Sequence, residues 1–133
     1  MSKTVVSSDA APRAIGPYSQ AVLVDWQPGS GRTLYCSGQI GLDPATGELV
    51  PGGFEAQARG VLANLHAVAA GAGMTLADAV KLTVYVTNLD DFPKLNAIFA
   101  ETFAEPYPAR ATVQVAALPK GALVEIDLVA VGG

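Results

Sequence analysis

Only two stretches of this chain repeat their apolar residues at helical spacing, and both are set among runs that alternate with a period of two. Over 54–72, Phe54, Ala58, Val61, Leu62, Leu65, Val68, Ala69 and Ala72 fall on one helical face. Gly71 and Gly73 follow as stop signals. A second helix is expected over 88–103, with Asp90 or Asp91 as its cap and Pro93 in its first turn. Phe92, Leu95, Phe99 and Phe103 would form its buried stripe. Strands are expected at 20–26, 32–40, 80–87, about 110–116 and 122–131. The first two are joined by a Pro-Gly-Ser-Gly turn, and Thr75 offers a cap for one short turn before the third. The order is strand-strand-helix-strand-helix-strand-strand. Two helices cover one face of such a sheet, so the other must meet solvent or another subunit. The fold class is α+β.

With 133 residues, half of them hydrophobic, the chain is expected to form a single domain over 1–133 with a packed core. A net charge of −4 with scattered Lys and Arg offers no nucleic-acid footprint. An acidic total still permits one anion pocket, because distant charges are screened. No apolar run is long enough to span a bilayer, and "MSKTVVSSDAAPR" lacks the apolar region of a signal peptide. A lone Cys36 excludes an intrachain disulfide and suits a reducing, cytoplasmic setting. One His and one Cys cannot build a structural zinc site. His66 reads as an ordinary helical residue and Cys36 as a small buried hydrophobe.

The closing segment "PARATVQVAALPKGALVEIDL", 108–128, sets ionised groups inside strand-like runs. Arg110, Thr112 and Gln114 share one face of the first run; Glu125 and Asp127 share one face of the second. If the two runs form a hairpin about 118–121, pairing 114 with 125 and 112 with 127 gathers all the polar groups. Periodicity allows two outcomes and does not choose between them. One is a solvated surface ion pair worth ~0–1 kcal/mol. The other is a small anion site, with Arg110 as a two-pronged donor and Glu125 moving protons.

Four stretches bear on that choice: "IGPYSQAV" (15–22), "YCSGQIGLDPATGELV" (35–50), "LNAIFAETF" (95–103) and "YPARATVQVAALPKGALVEIDLVAV" (107–131). Together they resemble the RidA/YjgF family of reactive-intermediate deaminases, nearly from end to end. The Pro-Ala-Arg, Leu-Pro-Lys-Gly and Val-Glu-Ile order, with Glu125 fifteen positions after Arg110, is specific as a set.

The resemblance implies a chorismate-mutase-like mixed sheet with two helices packed on one face, assembled as a homotrimer with sites at subunit interfaces. It also implies hydrolysis of 2-enamine and 2-imine acids, such as 2-aminoacrylate and 2-iminopropanoate, to 2-oxo acids and ammonia. No metal or organic cofactor is implied. The intermediates would come from pyridoxal-phosphate enzymes. In matching positions, Arg110 would clasp the substrate carboxylate. Glu125 would polarise the attacking water and relay a proton to the departing nitrogen, and the Thr112 carbonyl would help to hold that water or the substrate amine. Tyr18 would close one wall. Ser37 and the Gly38 backbone would contact substrate or order the loop. Asn96 would supply an amide from across the subunit interface. Asp127 is expected to be structural.

Two departures stand out. Thr112 occupies a position that is Cys in some members, and "DWQPGSGRTL" is slightly long for the family. Two other functions remain alongside the deaminase: a regulatory trimer that binds 2-oxo acids without turnover, and a ribonuclease or translation inhibitor. The acidic balance weighs against the last.

Overall fold

The apolar stripe of the first helical stretch decides how everything else packs. In the computed structural model, which describes residues 1–132, that stretch is α1 (Gly53–Ala70). All eight stripe residues are buried against the sheet. The helix ends where expected, with Gly71 closing its last turn and Gly73 in the left-handed region at φ 73°.

Six strands form one mixed sheet: β1 (Ser2–Val6), β2 (Ala21–Asp25), β3 (Arg32–Ile40), β4 (Ala79–Val86), β5 (Ala109–Gln114) and β6 (Val124–Gly132). Their order across the sheet is β1-β2-β3-β6-β4-β5. β1 has no counterpart among the expected strands, because its "SKTVV" carries no clear alternation and buries only Val6. The β2–β3 hairpin forms at the Pro-Gly-Ser-Gly turn as expected.

Both helices lie on one face. The core joins Leu82, Val84 and Val86 of β4 and Val124, Ile126, Leu128 and Ala130 of β6 to α1 and to α2 (Phe92–Thr102). Leu128 is essentially sealed from solvent, so trimming it to Ala costs about 2–5 kcal/mol. Thr75 forms a capping box over a short 3-10 turn, accepting from Ala77 N–H while Asp78 accepts from Thr75 N–H.

Three details of α2 differ from the expectation. Asp91 stands at its N-cap position, as expected, but its side chain makes no capping bond; the side chain of Asn88 accepts from Asp90 N–H and caps the 3-10 turn that leads in. Pro93 does sit in the first turn. Ile98 joins Leu95, Phe99 and Phe103 in the buried stripe, while Phe92 stays 38% exposed.

The expected closing hairpin does not form. β5 pairs in parallel with β4, with Arg110 opposite Leu82, and β6 inserts between β3 and β4, with Leu82 also opposite Leu128. The physical reason is burial. β6 offers four consecutive inward residues to the helices and takes the centre, while α2 carries the chain over to a parallel edge position.

The opposite face of the sheet has no helix. Tyr35 at 46%, Val113 at 43% and Val131 at 44% exposure stand on it, together with Val5 and Tyr85. Glu125 and Asp127 point to this same face, because they alternate with the buried Val124, Ile126 and Leu128.

Candidate functional site

The residues singled out from the sequence fall into two groups at different parts of the sheet. Arg110, Thr112 and Asn96 form one. Tyr18, Ser37, Gly38 and Glu125 form the other.

Arg110 lies on edge strand β5, on the helix-covered face shared with Leu82. Its guanidinium sits 5.4 Å from the ring centre of Phe92 and 4.9 Å from that of Phe99. Its Nη2 donates to Asn96 Oδ1 at 2.6 Å. Asn96 therefore meets Arg110 within one chain and belongs to the Arg110 half. Among the described residues no carboxylate forms an ion pair with Arg110. Burial holds the Arg110 pKa below its ordinary value, which leaves a desolvated cation held by a neutral amide and two rings. It opens onto a cavity of ≈ 470 Å³ bordered by Asn96, Phe99, Tyr107 and Pro108. Thr112 follows on the same face, with its hydroxyl buried and unpartnered. Among the described residues, the outer edge of β5 pairs with no strand.

Glu125 lies in β6 opposite Ile40 and Tyr85. Between Cys36 and Gln39, β3 advances three residues while β6 advances two, a bulge at Ser37 and Gly38. Gly38 is required there: a Cβ would stand 3.0 Å from Glu125 Cδ and 3.3 Å from its Oε1. The carboxylate thus lies over the glycine. Ser37 Oγ donates to Ser19 O at 2.6 Å, so its hydroxyl is committed to ordering the 15–20 loop. In that loop the Tyr18 hydroxyl accepts from Ile15 N–H at 3.2 Å, and the Tyr18 ring walls the Glu125 cavity.

Two residues add to this half beyond those given a substrate or catalytic part from the sequence. The buried amide of Gln20 accepts from Ser8 N–H at 2.6 Å and donates to Pro12 O at 2.8 Å, pinning the loop that carries Arg13, Ile15 and Tyr18. Its position in "GPYSQ" was the available signal. Asp127 is the second. It accepts from the Tyr85 hydroxyl at 3.3 Å, two positions from Glu125 on the same face. Burial first, and the charge of Asp127 second, push the Glu125 carboxyl above its ordinary pKa. Asp127 is thus the nearby charge that adds to the effect of burial on Glu125. Tyr85 is raised in turn, chiefly by Asp127.

The two groups do not meet in one chain. Arg110 and Glu125 are two strands apart and offset by three residues along the sheet, about 14 Å between Cα atoms. Their side chains leave opposite faces. This overturns the placing of the two on compatible faces of neighbouring strands. Each half holds one of the two ionised groups, the Arg110 guanidinium or the Glu125 carboxyl.

Cys36 and His66 stand outside both halves. Cys36 is buried under the helices, and burial together with Asp127 pushes its thiol up to about 12. His66 is exposed on α1. Among the described residues no group of three or more His, Cys, Asp and Glu side chains could hold a metal ion, and no helix is long and apolar enough to cross a membrane.

Residues 8–132 match the family described as Endoribonuclease L-PSP, known also as YjgF/RidA. The chain belongs to this family. It is 47% identical over 131 residues to the 2-iminobutanoate/2-iminopropanoate deaminase of Bos taurus, covering 98% of this chain and 91% of that protein. It is 50% identical over 131 residues to the protein DfrA of Myxococcus xanthus, with 98% and 97% covered. Among solved structures, RidA from an Antarctic Psychrobacter superposes with a TM-score of 0.86 at 49% identity, covering 96% of this chain and 98% of that one. The α+β fold is shared with these RidA-type neighbours. These relatives carry different names, so membership fixes the fold and the kinship to deaminases without fixing each residue's role.

Proposed function

We propose that this RidA-family chain hydrolyses short-lived 2-imine and 2-enamine acids to 2-oxo acids and ammonia, at sites built between copies of itself. The observation that carries this reading is the division of labour across the sheet. Arg110 is a desolvated cation without a carboxylate partner, and Glu125 is a carboxyl raised towards the working pH, on the opposite face. Neither half is a catalytic site alone. A second copy that brings its Arg110 edge to the Glu125 face completes one.

The open sheet face supports such an assembly. Val5, Tyr35, Val113 and Val131 are exposed on it, an apolar patch a free subunit would leave to water. The homotrimer implied by the family resemblance would cover that face and repeat the composite site at each interface.

In the proposed reaction, Arg110 holds the substrate carboxylate bidentately and so places the imine carbon against Glu125. Glu125 takes a proton from water as the water oxygen bonds to that carbon and the C=N double bond becomes single. That proton passes to nitrogen, giving a carbinolamine; Glu125 then takes the hydroxyl proton and returns it to the same nitrogen as the C–N bond breaks, so that ammonia leaves and the carbonyl forms. An enamine first takes a proton at its terminal carbon and gives one up from nitrogen to become the imine. A raised carboxyl suits both proton steps, a contribution of typically ~10²–10⁴-fold. The imine carbon is already electrophilic, so no covalent nucleophile is needed. Tyr18 shields the cleft, Gly38 admits the Glu125 carboxylate, Asn96 aims Arg110, and the Thr112 main chain lies on the open edge beside it. Dehydratases that use pyridoxal phosphate are a fitting source of such imines.

A regulatory trimer that only binds 2-oxo acids would also use Arg110, but it has no use for a raised Glu125. A coupled assay separates the two. A serine or threonine dehydratase generates the imine, and 2-oxo acid release is timed with and without this protein. Acceleration at micromolar protein, lost in Arg110→Ala and in Glu125→Gln, supports hydrolysis. No acceleration, or full acceleration by either variant, overturns it.

A further inference from the structure

The cavity beside Glu125 does not end at the proposed reaction centre. Pro12, Arg13, Ile15 and Leu42 border both it and a second pocket of ≈ 320 Å³, whose far wall is formed by Thr46, Gly47 and Lys120. Two cations and no carboxylate line this second pocket, in a chain whose net charge is −4. Arg13 is exposed and takes part in no ion pair among the described residues. Lys120 Nζ donates to Gly47 O at 3.0 Å, which uses one of its three protons. Its backbone is held at φ 57°, the one non-glycine residue in the left-handed region among the described residues. That conformation is costly for a side chain-bearing residue and is kept where the surroundings enforce it. The neighbouring carboxylate, Asp43, is engaged by Ala45 N–H at 2.8 Å within its own turn.

We propose that Arg13 and Lys120 form a second anion subsite, which receives the distal carboxylate of 2-imino acids whose side chain ends in an acid. The inference rests on the reading of Glu125 as the group at the reacting carbon. A substrate held there by its own 2-carboxylate would extend its side chain past Ile15 into the cationic pocket. The ligand class is a short dicarboxylic 2-imino acid, with its 2-oxo product as the stable counterpart. Arg13 sets specificity in this scheme: it touches the distal end and takes no proton.

The test compares binding of 2-oxobutyrate and 2-oxoglutarate by titration calorimetry, at fixed ionic strength, for wild type, Arg13→Ala and Arg13→Lys. Hydrolysis rates on the matching imines are measured in parallel. The ratio of 2-oxoglutarate to 2-oxobutyrate affinity is expected to fall about tenfold in Arg13→Ala, with part of it kept in Arg13→Lys. The wild-type preference should also shrink as salt is raised, because the pocket is open to solvent. A ratio unchanged within about twofold in Arg13→Ala, or no binding of 2-oxoglutarate to wild type, overturns the subsite. Selective binding of 2-oxoglutarate through Arg13 without hydrolysis of any imine overturns the deaminase reading and supports the subsite.

Discussion

If Arg110 and Glu125 act together only across an interface, two inactive variants should restore one another. Arg110→Ala keeps Glu125 and loses the carboxylate clamp; Glu125→Gln keeps the clamp and loses the proton carrier. Each alone should fall by ~10²-fold or more. In a cyclic trimer each site takes Arg110 from one subunit and Glu125 from its neighbour. An assembly with two chains of one variant and one of the other then has a single junction at which both groups are intact. Doubly tagged assemblies, co-expressed and purified through both tags, should therefore recover about one third of the wild-type rate. The coupled imine assay reads this directly. A site within one chain gives no recovery, whatever the mixture. The geometry predicts recovery because the two side chains leave opposite faces of one sheet. Doubly tagged assemblies no more active than the separate variants would refute the composite site.

Four further outcomes are expected. Gly38→Ala puts a Cβ 3.0 Å from Glu125 Cδ and should cost about 10–10²-fold in rate with little loss of stability, because a side chain can turn aside. Gly41→Ala meets the α1 backbone at Gln57 O, 2.8 Å away, and should cost about 1–3 kcal/mol in a thermal melt; equal stability losses in the two variants would contradict this. Asp127→Asn removes one of the two causes that raise Glu125, so the acidic limb of the kcat/KM profile should move to lower pH. A group whose folded pKa is raised stabilises in acid and loses that contribution as pH rises through it. Glu125→Gln should therefore melt above wild type at neutral pH, with the gap closing in acid; the reverse trend would count against the burial argument. Val113→Asp sets a charge on the exposed open face and should lower the assembly mass by light scattering while circular dichroism is kept. An unchanged mass would exclude that face from the interface.

The helices were legible because their apolar spacing is local. Every residue of the α1 stripe is buried as its period required. The strand runs were legible for the same reason, except β1, whose pairing depends on β2 and not on its own pattern. The candidate residues were found through the order of the motifs, and the geometry then regrouped them. Ser37 turned out to be committed to Ser19, and Asn96 to Arg110 in its own chain. Asp127 acquired an electrostatic part that no spacing could express, since it depends on Tyr85 and on the burial of Glu125.

The sequence by itself determined that this chain makes a sheet with one covered face and one open face. Two amphipathic helices and five alternating runs leave no other way to bury the apolar residues. It also determined which ionised residues stand inside the strand runs. Only the tertiary structure decided that β6 enters the centre of the sheet and β5 the edge, because strand order follows from competition for burial among all the strands at once. That choice put Arg110 and Glu125, which read along the chain as a pair of neighbours, on opposite faces of the sheet.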